Sequence, residues 1–187
     1  MAHKVLDFAH NVAARILRPG DAAVDATVGN GHDTRFLAER VGPGGQIWGF
    51  DVQAKALRRA HERLRDVSAS VTLIRDSHAS MAAYVAMPMR VALFNLGYLP
   101  GGSRAVTTTA ESTITALEAS WSLLTHDGRI VLVLYRGHPG GAEEARAVLD
   151  WAGGLGSASV VRFGFTGRGG APPEALVVAR RPSHGSR

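Results

Sequence analysis

Residues 22–33 read Ala-Ala-Val-Asp-Ala-Thr-Val-Gly-Asn-Gly-His-Asp, an apolar run that leads directly into a glycine-rich turn. The run from Ala22 to Thr27 is short and apolar, which is typical of a strand buried on both faces. Gly29 and Gly31 predict a tight turn, and the residues from Thr34 to Val41 then continue as a helix. This strand–turn–helix unit predicts an α/β domain built on a parallel sheet.

The same alternation extends in both directions from this unit. A helix with apolar spacing precedes it over 5–16 and ends at Pro19 and Gly20. Further strands are predicted over 46–52, 71–75, 90–95 and 129–135, with helices over 54–64, 81–86, 108–124 and 142–151. No helix separates the last two strands, 160–165 and 175–179, so they should pair antiparallel at one edge of the sheet.

The predicted fold is therefore a Rossmann-like, seven-stranded, mostly parallel, doubly wound α/β sheet with one antiparallel edge strand. We expect a single domain over residues 1–181 and a flexible polar tail over 182–187.

Composition excludes several classes of protein. The 187-residue chain contains no cysteine, which rules out disulfide scaffolds, thiolate metal sites and cysteine nucleophiles. The absence fits a reducing compartment, and we expect the cytoplasm. No window approaches the ~18 apolar residues of a membrane span, and the polar start, with His3, Lys4 and Asp7, does not resemble a secretion signal.

The chain is basic, with a net charge of +5, and 19 of its 21 basic residues are arginine. A basic surface suits a polyanion such as RNA, although an arginine-rich composition is equally what a GC-rich genome produces. Three arginines in loops, Arg104, Arg136 and Arg168, are the predicted RNA contacts.

Ligands of such sheets bind beyond the carboxyl ends of the strands. There, Asp25 precedes the glycines, where a carboxylate would repel a pyrophosphate and favour a cationic ligand such as S-adenosylmethionine. An NAD-dependent oxidoreductase, which Gly29, Gly31 and Asp51 also suggest, lacks here the third glycine of its fingerprint.

The next two strands also end in acids. Asp51 lies about 20 residues beyond Gly31, the position of an acid that binds ribose hydroxyls. Asp76 and Ser77 could hold an adenine amino group, or they could cap the helix that follows.

The loops after the fourth and fifth predicted strands, which we call the fourth and fifth loops, are predicted to face the methyl acceptor. Asn95 closes a buried strand, and its amide oxygen could accept a hydrogen bond from a substrate amine. Tyr98 and Tyr135 could wall the acceptor, and His138 is as readily structural as catalytic. The eight histidines show no spacing typical of a metal site, so no metal is expected.

Three motifs then stand out: D-A-T-V-G-N-G-H-D-T over 25–34, F-N-L-G-Y-L-P-G-G over 94–102 and Y-R-G-H-P-G-G over 135–141. Together they resemble the YtqB-like family of small class I S-adenosylmethionine-dependent methyltransferases. The resemblance implies methylation of the 5-aminomethyl group on the wobble (2-thio)uridine of tRNA, giving the methylaminomethyl form. It also implies an anticodon stem-loop as partner.

The resemblance implies roles residue by residue. The cofactor would be bound by Asp25, Thr27, Gly29, Asn30, Gly31, Asp33, Asp51, Gln53, Ser77, His78, Asn95 and Gly97. The catalytic set would be Asn95, Tyr98, Tyr135 and His138. Ser103 and Arg136 depart from the family pattern on the substrate side.

Three alternatives stay open at this stage: a methyltransferase acting on rRNA, one acting on a small molecule, and a nucleotide- or RNA-binding module without catalysis. A homodimer is expected, because family members tend to pair and because the opening helix and the 108–124 helix offer apolar faces.

Overall fold

The computed structural model describes residues 2–97, 107–165 and 172–181. Within them, seven strands form one sheet in the order β3-β2-β1-β4-β5-β7-β6. The strands are β1 Ala22–Asp25, β2 Gln46–Phe50, β3 Ser70–Ile74, β4 Met89–Asn95, β5 Leu124–Leu134, β6 Ala158–Phe163 and β7 Glu174–Arg180. The helices are α1 Ala2–Ile16, α2 His32–Val41, α3 Ala54–Arg63, α4 Ala110–Leu123 and α5 Gly141–Gly154, with a 3₁₀-helix over His78–Ala83.

The predicted α/β fold is confirmed, and the reversed strand is β7. This strand pairs antiparallel with both β5 and β6, so it lies one place inside the edge and β6 forms the edge itself. The remaining pairs, from β3 to β5, are parallel.

Helices cover both faces of the sheet. One face is packed by α1, α2 and α3, and the other by α4, α5 and the 3₁₀-helix. The central strands are buried along their length, as their unbroken apolar runs predict, and β1 has no exposed residue.

The fifth strand differs most from the prediction. It begins at Leu124, directly after α4, whereas the predicted strand begins at Arg129. Its pairing with β4 shifts register between Met89 and Val91, because the polar segment before Arg129 enters the strand as an irregularity.

The apolar helix faces behind the homodimer prediction are both used inside the fold. Helix α1 buries Val5, Ala9 and Ala13 against the sheet, and α4 buries Ala116 and Leu117. The homodimer therefore stays a prediction without that basis. Across the described ranges, every helix is too short or too polar to cross a bilayer.

One close approach fixes how the glycine-rich turn meets α3. Gly31 has φ +80°, and a Cβ placed on it would lie 2.7 Å from the Cα of Ala60. The turn and the helix therefore touch through backbone atoms, which only glycine permits.

We expect Gly31→Ala to destabilise the protein more than Gly20→Ala. Both positions have positive φ, but a Cβ on Gly20 meets nothing within 4 Å. Gly20→Ala should cost ~1–2 kcal/mol of unfolding free energy for the left-handed conformation, and Gly31→Ala a further ~1–3 kcal/mol for overpacking. Urea unfolding of both variants measures this, and equal losses would show that α3 moves away freely.

Candidate active site

The loops after β1 and β2 are joined through one carboxylate. Asp51, just past the end of β2, accepts from the backbone N–H of Gly29 at 2.9 Å and from that of Gln53 at 2.8 Å. Burial raises the pKa of Asp51 above its usual range. The structure thus brings the predicted ribose-binding acid against the glycine-rich turn.

Asp25 lies beneath that turn and is fully buried. One carboxylate oxygen accepts from the N–H of Thr27 at 3.0 Å, and the other from the hydroxyl of Thr34 on α2 at 2.6 Å. Burial, together with the charges of Asp33 and Asp51, raises the pKa of Asp25 to about 7. Both oxygens of Asp25 are thus occupied by hydrogen bonds that hold the loop to α2.

Three carboxylates, those of Asp25, Asp33 and Asp51, share this edge of the sheet. Their mutual repulsion contributes to the raised pKa of Asp25. A cationic ligand placed beside them would relieve that repulsion, and a phosphate would increase it. In the described ranges, no group of three or more His, Asp or Glu side chains is placed to hold a metal ion.

The loop after β3 is held by local hydrogen bonds. Asp76 accepts from the N–H of Ser77 at 2.7 Å and from the hydroxyl of Tyr84 at 3.0 Å. The Ser77 hydroxyl accepts from the N–H of Ala79 at 3.2 Å and so caps the 3₁₀-helix. The capping alternative is therefore present for Ser77, and Tyr84 is a neighbour that the sequence analysis missed.

His78 is buried between the ends of β1 and β4. Its Nδ1 lies 3.0 Å from the carbonyl oxygen of Ala26, and its ring meets Phe94 edge-on at 6.0 Å. A carbonyl only accepts, so Nδ1 carries the proton. Burial lowers the pKa of His78, which keeps the ring neutral.

Asn95, the last residue of β4, is fixed at two points. Its N–H donates to the Thr27 hydroxyl at 2.8 Å, and its side-chain Nδ2 donates to Asp33 at 3.1 Å. The other oxygen of Asp33 lies 2.8 Å from Nε2 of His10 on α1. His10 is a further residue that the sequence analysis assigned no role, because nothing local connects positions 10 and 33.

The fourth and fifth loops meet beside Asn95. A Cβ placed on Gly97 would lie 3.8 Å from both His138 Nε2 and the ring of Tyr135. Burial and the charge of Asp33 raise the pKa of Tyr135. The structure thus gathers Gly97, Tyr135 and His138, whereas Tyr98 lies outside the described residues.

Arg136 is already paired. Its Nε and a terminal nitrogen donate to one oxygen of the buried Glu174 at 2.8 and 2.6 Å, and Arg162 binds the other oxygen. The guanidinium predicted to contact RNA therefore anchors the fifth loop to β7. Arg104 and Arg168 lie outside the described residues.

Two solved structures of methylases resemble this protein over nearly its whole length. A solved structure described as a "putative rRNA-methylase" from Clostridium thermocellum superposes with a TM-score of 0.91 and 38% identity, covering 95% of this chain and 97% of that one. A "putative methyltransferase" from Streptococcus mutans, solved in complex with SAH, gives a TM-score of 0.86 and 32% identity over 95% and 98% of the two chains.

Curated relatives differ in their named RNA. The chloroplastic tRNA (mnm(5)s(2)U34)-methyltransferase of Arabidopsis thaliana is 37% identical over 81% of this chain, which spans 60% of that relative's length. Ribosomal RNA small subunit methyltransferase H of Dehalococcoides mccartyi is 37% identical over a segment that covers 42% of this chain and 24% of that relative's length.

The sequence model of the family described as "Putative rRNA methylase" matches residues 47–179, from β2 to β7. Its extent, with the near-complete structural superposition, identifies the protein: the chain belongs to the rRNA methylase family and is a methyltransferase.

Proposed function

We propose that the protein methylates the 5-aminomethyl group of the wobble (2-thio)uridine in tRNA, giving the methylaminomethyl form. The observation that carries this proposal is the match over 81% of the chain to a plant enzyme named for that nucleoside. The arrangement around Asn95, at the meeting point of three loops, supports it, because the acceptor is an amine.

S-adenosylmethionine is the cofactor of this methyltransferase. Its sulfonium and ammonium groups are cationic, and the three carboxylates at the edge of the sheet fit such a ligand. We assign the methionine part to the first loop, the ribose to Asp51, and the adenine to the region of Gln53, Ser77 and His78. The residues assigned to the methionine part, in and around the loop after β1, are Asp25, Thr27, Gly29, Asn30, Gly31 and Asp33.

The cofactor supplies a methyl group on a sulfonium, which needs no further activation. The protein's task is to hold the acceptor amine, deprotonated, with its lone pair toward that methyl group. We assign this to the amide oxygen of Asn95, beside Gly97, with Tyr135 and His138 lining the acceptor. The raised pKa of Tyr135 keeps its phenol protonated at neutral pH, so it serves as a donor there rather than as a base.

An anticodon stem-loop is the proposed partner. With Arg136 paired to Glu174, the exposed cations of α3 (Lys55, Arg58 and Arg59) offer phosphate contacts within the described residues. A homodimer and a cytoplasmic location remain predictions, the latter because a cysteine-free chain fits a reducing compartment.

A methyltransferase acting on rRNA is the second candidate. The bacterial rRNA methyltransferases that match 42% of this chain or less favour it. Mass spectrometry of nucleosides from tRNA and from ribosomes, each treated with the enzyme and S-adenosylmethionine, separates the two candidates.

The pKa of Asp25 predicts a pH-dependent stability. A carboxyl whose pKa rises on folding from 3.8 to about 7 stabilises the protein below pH ~4. That contribution is lost as the pH rises toward 7. Asp25→Asn keeps the size of the side chain without the charge, so it should gain stability relative to the wild type across this window. Urea unfolding at pH 4 to 8 measures it, with the exposed Asp150→Asn as control. A constant difference between wild type and Asp25→Asn would contradict the shift.

Asp51 should contribute to cofactor affinity. We expect Asp51→Ala to weaken binding of S-adenosylmethionine by ~1–3 kcal/mol, because ribose hydroxyls lose a charged acceptor. Calorimetry checks this against Asp150→Ala, which removes an exposed carboxylate on α5. Equal affinities for the two variants would remove Asp51 from the cofactor site.

Asn95 should act on the acceptor. Asn95→Ala should leave cofactor affinity nearly unchanged and slow single-turnover transfer to tRNA bearing the 5-aminomethyl nucleoside by ~10²-fold, because orientation is lost. Asn11→Ala, on the exposed side of α1, is the matched control. A normal rate in Asn95→Ala would move the acceptor toward Tyr135 and His138. No transfer by the wild type to tRNA confirmed to carry that nucleoside would overturn the tRNA assignment.

A further inference from the structure

Three side chains form a continuous chain from α1 to the end of β4. Nε2 of His10 lies 2.8 Å from Oδ1 of Asp33, and Oδ2 of Asp33 accepts from Nδ2 of Asn95 at 3.1 Å. Asp33 is only 5% exposed, so both of its oxygens are satisfied inside the protein. Residues 10, 33 and 95 belong to three different elements, α1, α2 and β4, which these two contacts connect.

The carboxylate decides which way the Asn95 amide points. Oδ2 of Asp33 is the acceptor of the contact with Nδ2 of Asn95, so the NH₂ group of Asn95 faces Asp33. Its oxygen is then left on the opposite side of the amide group, away from Asp33. The backbone N–H of Asn95 is bound to the Thr27 hydroxyl at 2.8 Å, so the residue is fixed at its main chain as well.

His10 is itself held in place. Its ring stacks on Phe36 with centroids 4.1 Å apart and an interplanar angle of 6°. Phe36 lies one turn after Asp33 on α2, so the stack and the hydrogen bond set the ring from two sides. The donor to Asp33 is therefore preorganised by the packing of α1 against α2.

We infer that His10 and Asp33 are positioning residues that fix the amide of Asn95 with its oxygen toward the acceptor amine. This inference rests on the proposed function of Asn95. It assigns Asp33 a second task beside the cofactor contact expected from the sequence, and it gives α1 a role in the methyl-transfer step.

Four variants test this chain. His10→Phe keeps the stack on Phe36 and removes the donor, whereas His10→Gln keeps a donor. Asp33→Asn removes the charge that dictates the direction of the amide. His126→Phe changes an exposed histidine at the opposite end of the sheet and is the control.

The first measurement is single-turnover methyl transfer to tRNA at saturating cofactor. We expect a ~10²-fold loss in Asp33→Asn, as for loss of orientation, and a ~10-fold loss in His10→Phe. His10→Gln should recover most of the rate. In the Asn95→Ala background, His10→Phe and Asp33→Asn should cause no further loss, because they act through Asn95.

Two results of these assays would overturn the inference. In the first, His10→Phe or Asp33→Asn slows methyl transfer by the same factor in the Asn95→Ala background as in the wild type, which would show that these residues act independently of Asn95. The other is a weakened affinity of Asp33→Asn for S-adenosylhomocysteine in calorimetry with an unchanged rate, which would make Asp33 a cofactor ligand alone.

A measurement without substrate keeps the inference separate from the proposed function. The side-chain NH₂ signals of Asn95, identified by their absence in Asn95→Ala, should shift in the ¹⁵N–¹H spectrum of Asp33→Asn and of His10→Phe. They should not shift in His126→Phe. Unmoved signals in Asp33→Asn overturn the chain of contacts, whereas an inactive wild type with shifted signals overturns only the tRNA assignment.

Discussion

The buried carboxylate of Asp25 is the constraint on which the active edge of the sheet depends. It has no access to solvent, so its oxygens must be satisfied by neighbouring groups of the protein. Thr27 and Thr34 do this through a backbone N–H and a hydroxyl. The Thr27 hydroxyl in turn accepts a hydrogen bond from the backbone N–H of Asn95, so the loop after β1 also fixes the end of β4.

Much of the fold could be predicted because its strands are unbroken apolar runs and its helices carry apolar spacing. The start of β5 could not, since its first residues have no strand pattern. Leu124 pairs with Met89 of β4, and His126 and Asp127 lie in the irregularity before the pairing resumes at Arg129. The local sequence determines the strand propensity of a segment, whereas an irregularity in a sheet depends on the pairing with the neighbouring strand.

The site shows the same division. Asp25, Asp51 and Asn95 could be proposed because each lies at or near the end of a predicted strand, and parallel strands end at a common edge. The contact of His10 with Asp33 spans 23 positions, and that of Arg136 with Glu174 spans 38. Such pairs depend on how helices and strands pack, which no local pattern encodes.

The contact between Gly31 and Ala60 has a consequence for how the sequence can vary. Ala60 is fully buried, although its helix carries exposed, charged residues on the other side. A larger side chain at position 60 would push against the backbone of the turn, and no change at position 31 could make room, since that residue is already glycine. Among sequences of this fold, both positions should therefore stay small, glycine at 31 and alanine or glycine at 60, because no compensating change at one can admit a larger residue at the other.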